Sequence, residues 1–362
     1  MYKIMTPGPT PVRENVRLAR SKETTNPDLD PKFYEDYREI CAKLEKFLDV
    51  PGEIFILGGE GILGLEAACA SLTEKGDKVL VLDNGIFGRG FADFATMYGG
   101  EVTFFTSDYH EPINPDALRQ FLKENHDFKY ATLVHMDTPS GVLNPVELLC
   151  PILKEYGILT VVDSVAGMFG EPISAREAQI DILCGGSQKA LSAPPGLTIV
   201  GVSPEAFTAM EERTTPIAAF YANLLTFKDY YKNQWFPYTM PISDIEGLGV
   251  AVENLLADPD IFSRHAQVAA ATRTALTNAG LKLYLNSGYS NNVTVICVPE
   301  GRQDTEILST MRDKYGIMIA GCFDVLAGKV IRIGHMGESA NEEAVRETLS
   351  ALGKTLGIEI KY

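Results

Sequence analysis

A lysine and an aspartate that follow two apolar strands are the residues best placed to do chemistry in this chain. Lys189 comes after the apolar run 180–184 and two glycines, and a segment rich in proline and glycine follows it at 193–196. A desolvated lysine in such surroundings can form a Schiff base with a carbonyl compound. Asp163 ends the apolar run 158–162, so the two side chains are expected at adjacent strand ends.

Lys189 and Asp163 are residues of the types that a pyridoxal phosphate site requires. Lys189 would hold the aldehyde of the cofactor, while Asp163 would pair with the protonated ring nitrogen and keep the ring an electron sink. Each residue alone also has an ordinary interpretation, because strand-end aspartates commonly cap helices and lysines are common in loops. The pair together predicts that Lys189 and Asp163 are catalytic and that the cofactor is pyridoxal 5′-phosphate.

The segments around the pair alternate between strand and helix patterns. Alternation with almost uniformly apolar strands is typical of an α/β fold with a mainly parallel central sheet and helices on both faces. Ligands of such sheets bind beyond the carboxyl ends of the strands, where Lys189 and Asp163 are expected. The predicted strands are 54–57, 78–82, 101–105, 131–135, 158–162 and 180–184, and the helices are 61–72, 87–98, 115–124 and 145–156.

The chain is long enough for two domains. The proline-rich start predicts an extended N-terminal arm over residues 1–15, because prolines remove backbone donors. A large cofactor-binding domain is expected over 16–250 and a smaller C-terminal α+β domain over 251–362. Within these units we also expect helices at 33–48, 243–256, 304–315 and 342–356, and strands near 289–298 and 329–333.

Composition narrows the class of protein. The 362 residues carry a formal net charge of −16, which argues against nucleic acid or an anionic membrane as a partner. The six cysteines are scattered, without C-x-x-C pairs or zinc spacing, so we expect reduced, mostly structural thiols and no metal site. No apolar run approaches membrane-spanning length. We therefore predict a soluble, cytoplasmic protein.

A glycine-rich segment supports a rival interpretation. Residues 59–64 match G-x-G-x-x-G after a strand and at a helix start, and Asp83 ends the next strand. This is the pattern of a dinucleotide site, so an NAD-dependent dehydrogenase is an alternative. The glycines by themselves report only that a helix N-terminus can approach a phosphate, and pyridoxal phosphate carries one as well.

Taken together, the motifs resemble those of the class V aminotransferases of fold type I, within the alanine–glyoxylate, serine–pyruvate and serine–glyoxylate group. The resemblance extends over essentially the whole chain. Its most specific pieces are Gly-Ser-Gln-Lys-Ala-Leu with Ala-Pro-Pro-Gly at 186–196, Val-Asp-Ser-Val-Ala at 162–166 and Ser-Gly-Val-Leu at 140–143. It implies a transaminase that moves an amino group from alanine or serine to glyoxylate or pyruvate by a ping-pong mechanism.

The resemblance also implies roles around the cofactor ring. Lys189 would form the Schiff base and then shuttle a proton, and Asp163 would bind the pyridinium nitrogen. Val165 would pack on one ring face and Phe87 on the other, and Thr138 would reach the ring hydroxyl.

At the phosphate, the resemblance implies contacts from Gln188 and from the backbone of Gly61 and Ile62. Thr239 would reach the phosphate of the neighbouring subunit, which implies a homodimer with shared active sites. One departure is Glu60, a carboxylate beside the phosphate position, which would repel the phosphate unless it turns away or pairs with a cation.

On the substrate side, the resemblance implies that Gly8 and Arg332 contact the substrate, with Arg332 gripping its carboxylate. A second departure is Phe236, which stands at the usual tyrosine position and has Tyr238 nearby as a stand-in.

Other functions share much of this pattern. The 2-aminoethylphosphonate–pyruvate and ureidoglycine–glyoxylate transaminases are alternatives with nearly the same motifs. A cysteine desulfurase or lyase would need a mobile cysteine, for which Cys322 is the candidate, and would normally carry histidine where this chain has Gln188. A hydrogenase-associated subunit is the non-catalytic alternative.

Overall fold

Short apolar segments and longer segments with helical apolar spacing become the strands and helices of the computed structural model, which describes residues 2–362. The strands are β1 (Lys3–Ile4), β2 (Glu53–Gly58), β3 (Lys78–Asp83), β4 (Glu101–Thr106), β5 (Tyr130–Val134), β6 (Met136–Asp137), β7 (Val142–Leu143), β8 (Leu159–Asp163), β9 (Ile182–Gly186), β10 (Leu197–Val202), β11 (Val293–Cys297), β12 (Ile317–Met318) and β13 (Val330–Gly334). The helices are α1 (Glu14–Ala19), α2 (Pro31–Leu48), α3 (Gly61–Leu72), α4 (Ile86–Met97), α5 (Pro115–Leu122), α6 (Val146–Lys154), α7 (Pro204–Glu211), α8 (Tyr230–Asn233), α9 (Ile242–Leu256), α10 (Ile261–Asn278), α11 (Asp304–Tyr315) and α12 (Glu342–Leu356).

A seven-stranded sheet forms the centre of the fold, in the order β2-β10-β9-β8-β5-β3-β4. The neighbouring strands from β9 to β4 run parallel, as the apolar runs predicted. Helices α2, α3, α4 and α6 pack against strands of this sheet. Because β8 and β9 are parallel neighbours, their carboxyl ends lie side by side.

Strand β10 was not predicted from the sequence. It lies between β2 and β9 and runs antiparallel to both. Its apolar run directly follows Pro194-Pro195-Gly196, and a short apolar run without alternation does not distinguish strand from helix. Pairing with β9, whose Gly186 lies opposite Thr198, decides its structure.

Local signals set most helix ends correctly. Helix α2 begins two residues before its predicted start, at Pro31, where the Asp30 side chain accepts a hydrogen bond from the Lys32 amide as an N-cap does. Helices α3, α11 and α12 have their predicted bounds. Helix α10 was missed because its buried face contains small and polar residues such as Ala269 and Thr272, which give a weak apolar pattern.

Two hydrophobic clusters form the interior. The larger one surrounds the central sheet, and the smaller one joins β11 and β13 to residues of α10, α11 and α12. The boundaries predicted for the two domains, at residues 16 and 251, remain predictions. In the described part of the chain, no helix is long and apolar enough to cross a membrane.

The described N-terminal segment contains no helix before α1, which begins at Glu14, and the extent of the arm, 1–15, remains a prediction. Strand β1 pairs in parallel with β12, and the Met5 carbonyl accepts a hydrogen bond from the Gly334 amide at the end of β13. Farther along, the Thr10 hydroxyl donates to the Lys189 carbonyl at 2.8 Å. The arm therefore connects the C-terminal strands to the segment that carries Lys189.

Candidate active site

A cleft of about 420 Å³ opens at the carboxyl ends of β8 and β9. Asp163 is the last residue of β8, and Lys189 follows β9 by three residues. The fold therefore brings the two predicted catalytic residues together, as expected from strand ends in a parallel sheet. The cleft is lined by Glu60, Ile62, Leu65, Phe87, Met136, Thr138, Asp163, Val165, Ala166 and Lys189.

The N-terminal arm closes over the Lys189 side chain. Its Nζ donates a hydrogen bond to the Pro7 carbonyl at 2.8 Å, and a Cβ atom on Gly8 would lie 2.7 Å from Nζ. Burial lowers the pKa of Lys189 to about 8, and the Arg332 guanidinium acts in the same direction. Lys189 therefore holds about a tenth of its amine free at pH 7, far more than an ordinary lysine, and nucleophilic attack on an aldehyde requires this free amine.

Asp163 is a buried carboxyl group without a cation in direct contact. Its Oδ1 accepts a hydrogen bond from the Val165 amide at 2.8 Å. Burial raises the pKa of Asp163 to about 7, because a charged carboxylate loses its hydration there. A protonated ring nitrogen placed against this carboxylate would supply the missing positive charge.

The backbone around Asp163 is fixed by residues that the sequence did not single out. The His135 amide donates to the Asp163 carbonyl at 2.7 Å, and the His135 ring lies 2.9 Å from the Ser164 hydroxyl. Burial lowers the pKa of His135 to about 4, so the ring is neutral. The position of His135 directly after β5 is the sequence feature that could have indicated its role.

Asp137 is a second residue that sequence reasoning missed. It accepts hydrogen bonds from the Phe87 amide at 3.2 Å and from the Ser140 hydroxyl at 2.7 Å. These contacts hold the start of helix α4, and with it the half-buried Phe87 ring, at the edge of the cleft. The Asp-Thr-Pro-Ser-Gly segment that begins at the last residue of β6 could have indicated this turn.

Arg332 lies on β13 and is 9% exposed. Its Nε donates to the Gly321 carbonyl at 2.6 Å and its Nη1 lies 3.4 Å from the Thr138 carbonyl. No carboxylate among the described residues forms an ion pair with it. Burial lowers the pKa of its guanidinium, and the Cys322 and Asp137 side chains act in the opposite direction. A buried guanidinium without an ion-pair partner is suited to bind a ligand carboxylate.

Glu60 lies at the end of the cleft where Gly61 and Ile62 were predicted to hold a phosphate. Its Oε2 accepts a hydrogen bond from the Ile62 amide at 3.1 Å, and its Oε1 accepts one from the Gln188 side chain. Glu60 therefore turns toward the start of helix α3 rather than away from it. The Ile62 amide and the Gln188 side chain, two of the predicted phosphate ligands, therefore already have this carboxylate as a partner.

The other residues predicted at the site lie partly inside and partly outside the cleft. Val165 lines the cleft and contacts Gly61, where an added Cβ would come within 2.7 Å of it. Thr239 is exposed and donates to Asp28 at 2.9 Å, so its role toward a neighbouring subunit remains a prediction. Tyr238 stacks on Tyr221 with ring centroids 4.2 Å apart.

The described residues fit a pyridoxal ring. Asp163 offers the buried carboxylate that a protonated ring nitrogen needs, and Lys189 offers an amine of lowered pKa for the aldehyde. The flat apolar sides of a ring would meet Val165 and Phe87. At the 5′ end, Glu60 places a carboxylate where a phosphate would be expected.

Fold and site together define a fold type I enzyme that depends on pyridoxal phosphate. The sequence profile described as aminotransferase class-V matches residues 15–333, and the chain belongs to this family. Membership of this family implies an aminotransferase that uses pyridoxal 5′-phosphate as cofactor and amino and oxo acids as substrates.

Known relatives match over nearly the full chain. A pyridoxamine–pyruvate transaminase of Mesorhizobium japonicum is 34% identical over 90% of this chain and 84% of its own length. A serine–glyoxylate aminotransferase of Methylorubrum extorquens is 29% identical over 99% and 90%. The crystal structure of ureidoglycine–glyoxylate aminotransferase from Bacillus subtilis superimposes with a TM-score of 0.95 at 28% identity, over 99% of this chain and 95% of that one.

These findings decide between the broad alternatives. The glycine motif at 59–64 begins helix α3 inside an aminotransferase fold, so the NAD-dependent dehydrogenase is not supported. Cys322 lies near Arg332, and burial raises the pKa of its thiol, which disfavours the reactive thiolate that a desulfurase requires.

Proposed function

We propose that this chain transfers an amino group from a small amino acid, such as alanine or serine, to glyoxylate or pyruvate by a ping-pong mechanism. The names of the relatives described above include pyruvate or glyoxylate as the amino acceptor, whereas the amino donors in these names differ. Ureidoglycine and pyridoxamine are accordingly alternative donors.

The observation that carries the proposal is the buried guanidinium of Arg332 beside the cleft that holds Lys189. A 2-oxo acid and an amino acid share a carboxylate next to the reacting carbon, and a bidentate contact with Arg332 would orient both in the same way. Phe323 packs near Arg332 and Phe87. In this proposal the two aromatic rings flank the carboxylate site and favour small side chains.

Pyridoxal phosphate, when bound, supplies the electron sink that weakens bonds at the substrate α-carbon. The chain supplies the proton transfers and the orientation. Lys189, with its lowered pKa, is suited to carry a proton between the two carbons that exchange it. Asp163 would hold the positive charge of the ring nitrogen in place.

An absorption experiment tests the proposal. The protein is supplied with excess pyridoxal or pyridoxal phosphate, and L-alanine, L-serine and glyoxylate are then added in turn. We expect a yellow absorption band that an amino donor bleaches and glyoxylate restores. Lys189→Met should abolish the band, whereas Lys282→Met, at an exposed lysine, should keep it. A wild-type protein that stays colourless would contradict the proposal.

We also propose a cytoplasmic homodimer. Exposed aromatic residues on and near the Trp235–Pro241 segment, among them Phe220, Tyr221 and Trp235, support an interface close to Thr239. Light scattering after size-exclusion chromatography should give twice the mass of the chain. A monomer with full activity at high dilution would contradict shared active sites.

A further inference from the structure

The end of the cleft beside helix α3 contains a carboxylate in place of an open anion site. The Glu60 side chain accepts from the Ile62 amide, and the Glu60 carbonyl accepts from the Leu63 amide at 2.8 Å. Two of the first backbone donors of the helix are therefore already satisfied. The favourable interaction of the helix N-terminus with negative charge is used by Glu60 itself.

No ion pair offsets this carboxylate, and Lys189 is the cation that interacts with it across the cleft. Glu60 takes part in none of the ion pairs between described residues, and Lys189 is the one cation among the described residues that line the cleft. A phosphate monoester carries a charge of about −1.5 to −2 at neutral pH. Placed beside Glu60, it would face like-charge repulsion from the carboxylate.

Gln188 gives a second, independent indication. Its side chain is 3% exposed, and its Nε2 must face Glu60 because a carboxylate only accepts hydrogen bonds. Its Oε1 is buried and has no hydrogen-bond partner among the described residues. Buried acceptors rarely remain unpaired, so we expect a bound ligand to donate a hydrogen bond to this oxygen. A phosphate dianion has no hydrogen and cannot donate one.

A hydroxymethyl group meets all these conditions. It carries no charge, and its O–H can donate to Glu60 or to Gln188. We propose that Glu60 determines specificity at the 5′ end of the ring, so that the site binds pyridoxal and pyridoxamine more tightly than their 5′-phosphates and exchanges them as substrates. This inference rests on the proposed transamination at Lys189.

The reaction balances without an additional reagent. Pyridoxamine and a 2-oxo acid give pyridoxal and an amino acid. The C–N bond at C4′ of pyridoxamine breaks and a C–N bond forms at C2 of the oxo acid, while the carbonyl oxygen is exchanged through water. One proton moves from C4′ to C2, so pyridoxamine is oxidised and the oxo acid is reduced.

Binding of the two aldehydes to the full-length protein tests the inference. After extensive dialysis, pyridoxal and pyridoxal phosphate are titrated separately, and the absorption of the Lys189 adduct gives each dissociation constant. We expect the wild type to prefer pyridoxal by about tenfold or more. Glu60→Gln removes the charge while keeping the shape, and should shift the preference toward the phosphate by about tenfold or more.

Glu205→Gln is the matched control, because Glu205 is an exposed carboxylate in the first turn of helix α7 and should leave the preference unchanged. A wild type that binds pyridoxal phosphate more tightly than pyridoxal would overturn the inference, even if Glu60→Gln fails to fold. In that case transamination with the phosphate would still support the proposed function. Failure of both aldehydes to react with Lys189 would refute the proposed function as well.

Discussion

Removing the charge of Asp163 should stabilise the protein without cofactor while impairing its function. Burial raises the pKa of this carboxyl group from its ordinary value of 3.8 to about 7. The folded state therefore holds the proton more tightly than the unfolded state does. Stability contributed by this group is lost as the pH rises from 3.8 toward 7, and the loss is complete above that range.

The size of the effect follows from the pKa values. A rise from 3.8 to about 7 corresponds to a cost of about 4 kcal/mol in the free energy of unfolding above neutral pH. Asp163→Asn removes this cost, and its side-chain oxygen can still accept from the Val165 amide. We expect the advantage of the variant to grow by about 2 kcal/mol between about pH 5.5 and about pH 8.5.

Urea unfolding of the cofactor-free protein at fixed protein concentration measures this difference. Asp83→Asn is the matched control, since Asp83 is an equally buried carboxylate at a strand end that accepts from Arg89 at 2.9 Å and Tyr109 at 2.6 Å. Breaking this satisfied ion pair should destabilise the protein. If Asp163→Asn were no more stable than the wild type at the higher pH, the assignment of Asp163 as an unpaired buried charge would be refuted.

Two further substitutions test the surroundings of Lys189. Gly8→Ala places a Cβ 2.5 Å from the Lys189 Cδ at a backbone φ of +100°, and should slow the reaction of Lys189 with pyridoxal at least about tenfold. Gly76→Ala is the control, because Gly76 has a φ of +87° and no neighbour within 4 Å. This control should lower stability only. Arg332→Lys should raise the KM for glyoxylate about tenfold or more without weakening pyridoxal binding, whereas Arg312→Lys at an exposed ion pair should change neither. Equal rates for the two glycine variants, or an unchanged KM for Arg332→Lys, would contradict these contacts.

The local part of the fold could be predicted from the sequence. The strands that carry Asp163 and precede Lys189, and the bounds of helices α3, α11 and α12, follow from apolar spacing and end signals that act over a few residues. Strand β10 and helix α10 could not be predicted in this way. The first depends on pairing with β2 and β9, and the second buries small and polar side chains that give little pattern.

The residues of the site likewise fall into those that the sequence indicated and those that only the structure revealed. Strand-end position indicated Asp163 and Lys189, and the resemblance to a family indicated Arg332 and Phe87. Asp137 and His135 were missed because their roles arise from hydrogen bonds to Phe87 and Ser164, residues distant in the sequence. The orientation of Glu60 was likewise open until the fold brought Gln188 to it from 128 positions away.

The sequence by itself therefore determined the type of fold and the position of Lys189 and Asp163 at adjacent strand ends, because short-range patterns and strand polarity specify them. Only the tertiary structure decided that the N-terminal arm covers Lys189, that Arg332 is buried without an ion-pair partner and that Glu60 occupies the start of helix α3. These features depend on contacts between distant segments. Their energies come from burial and hydrogen bonding that exist only once the chain has folded.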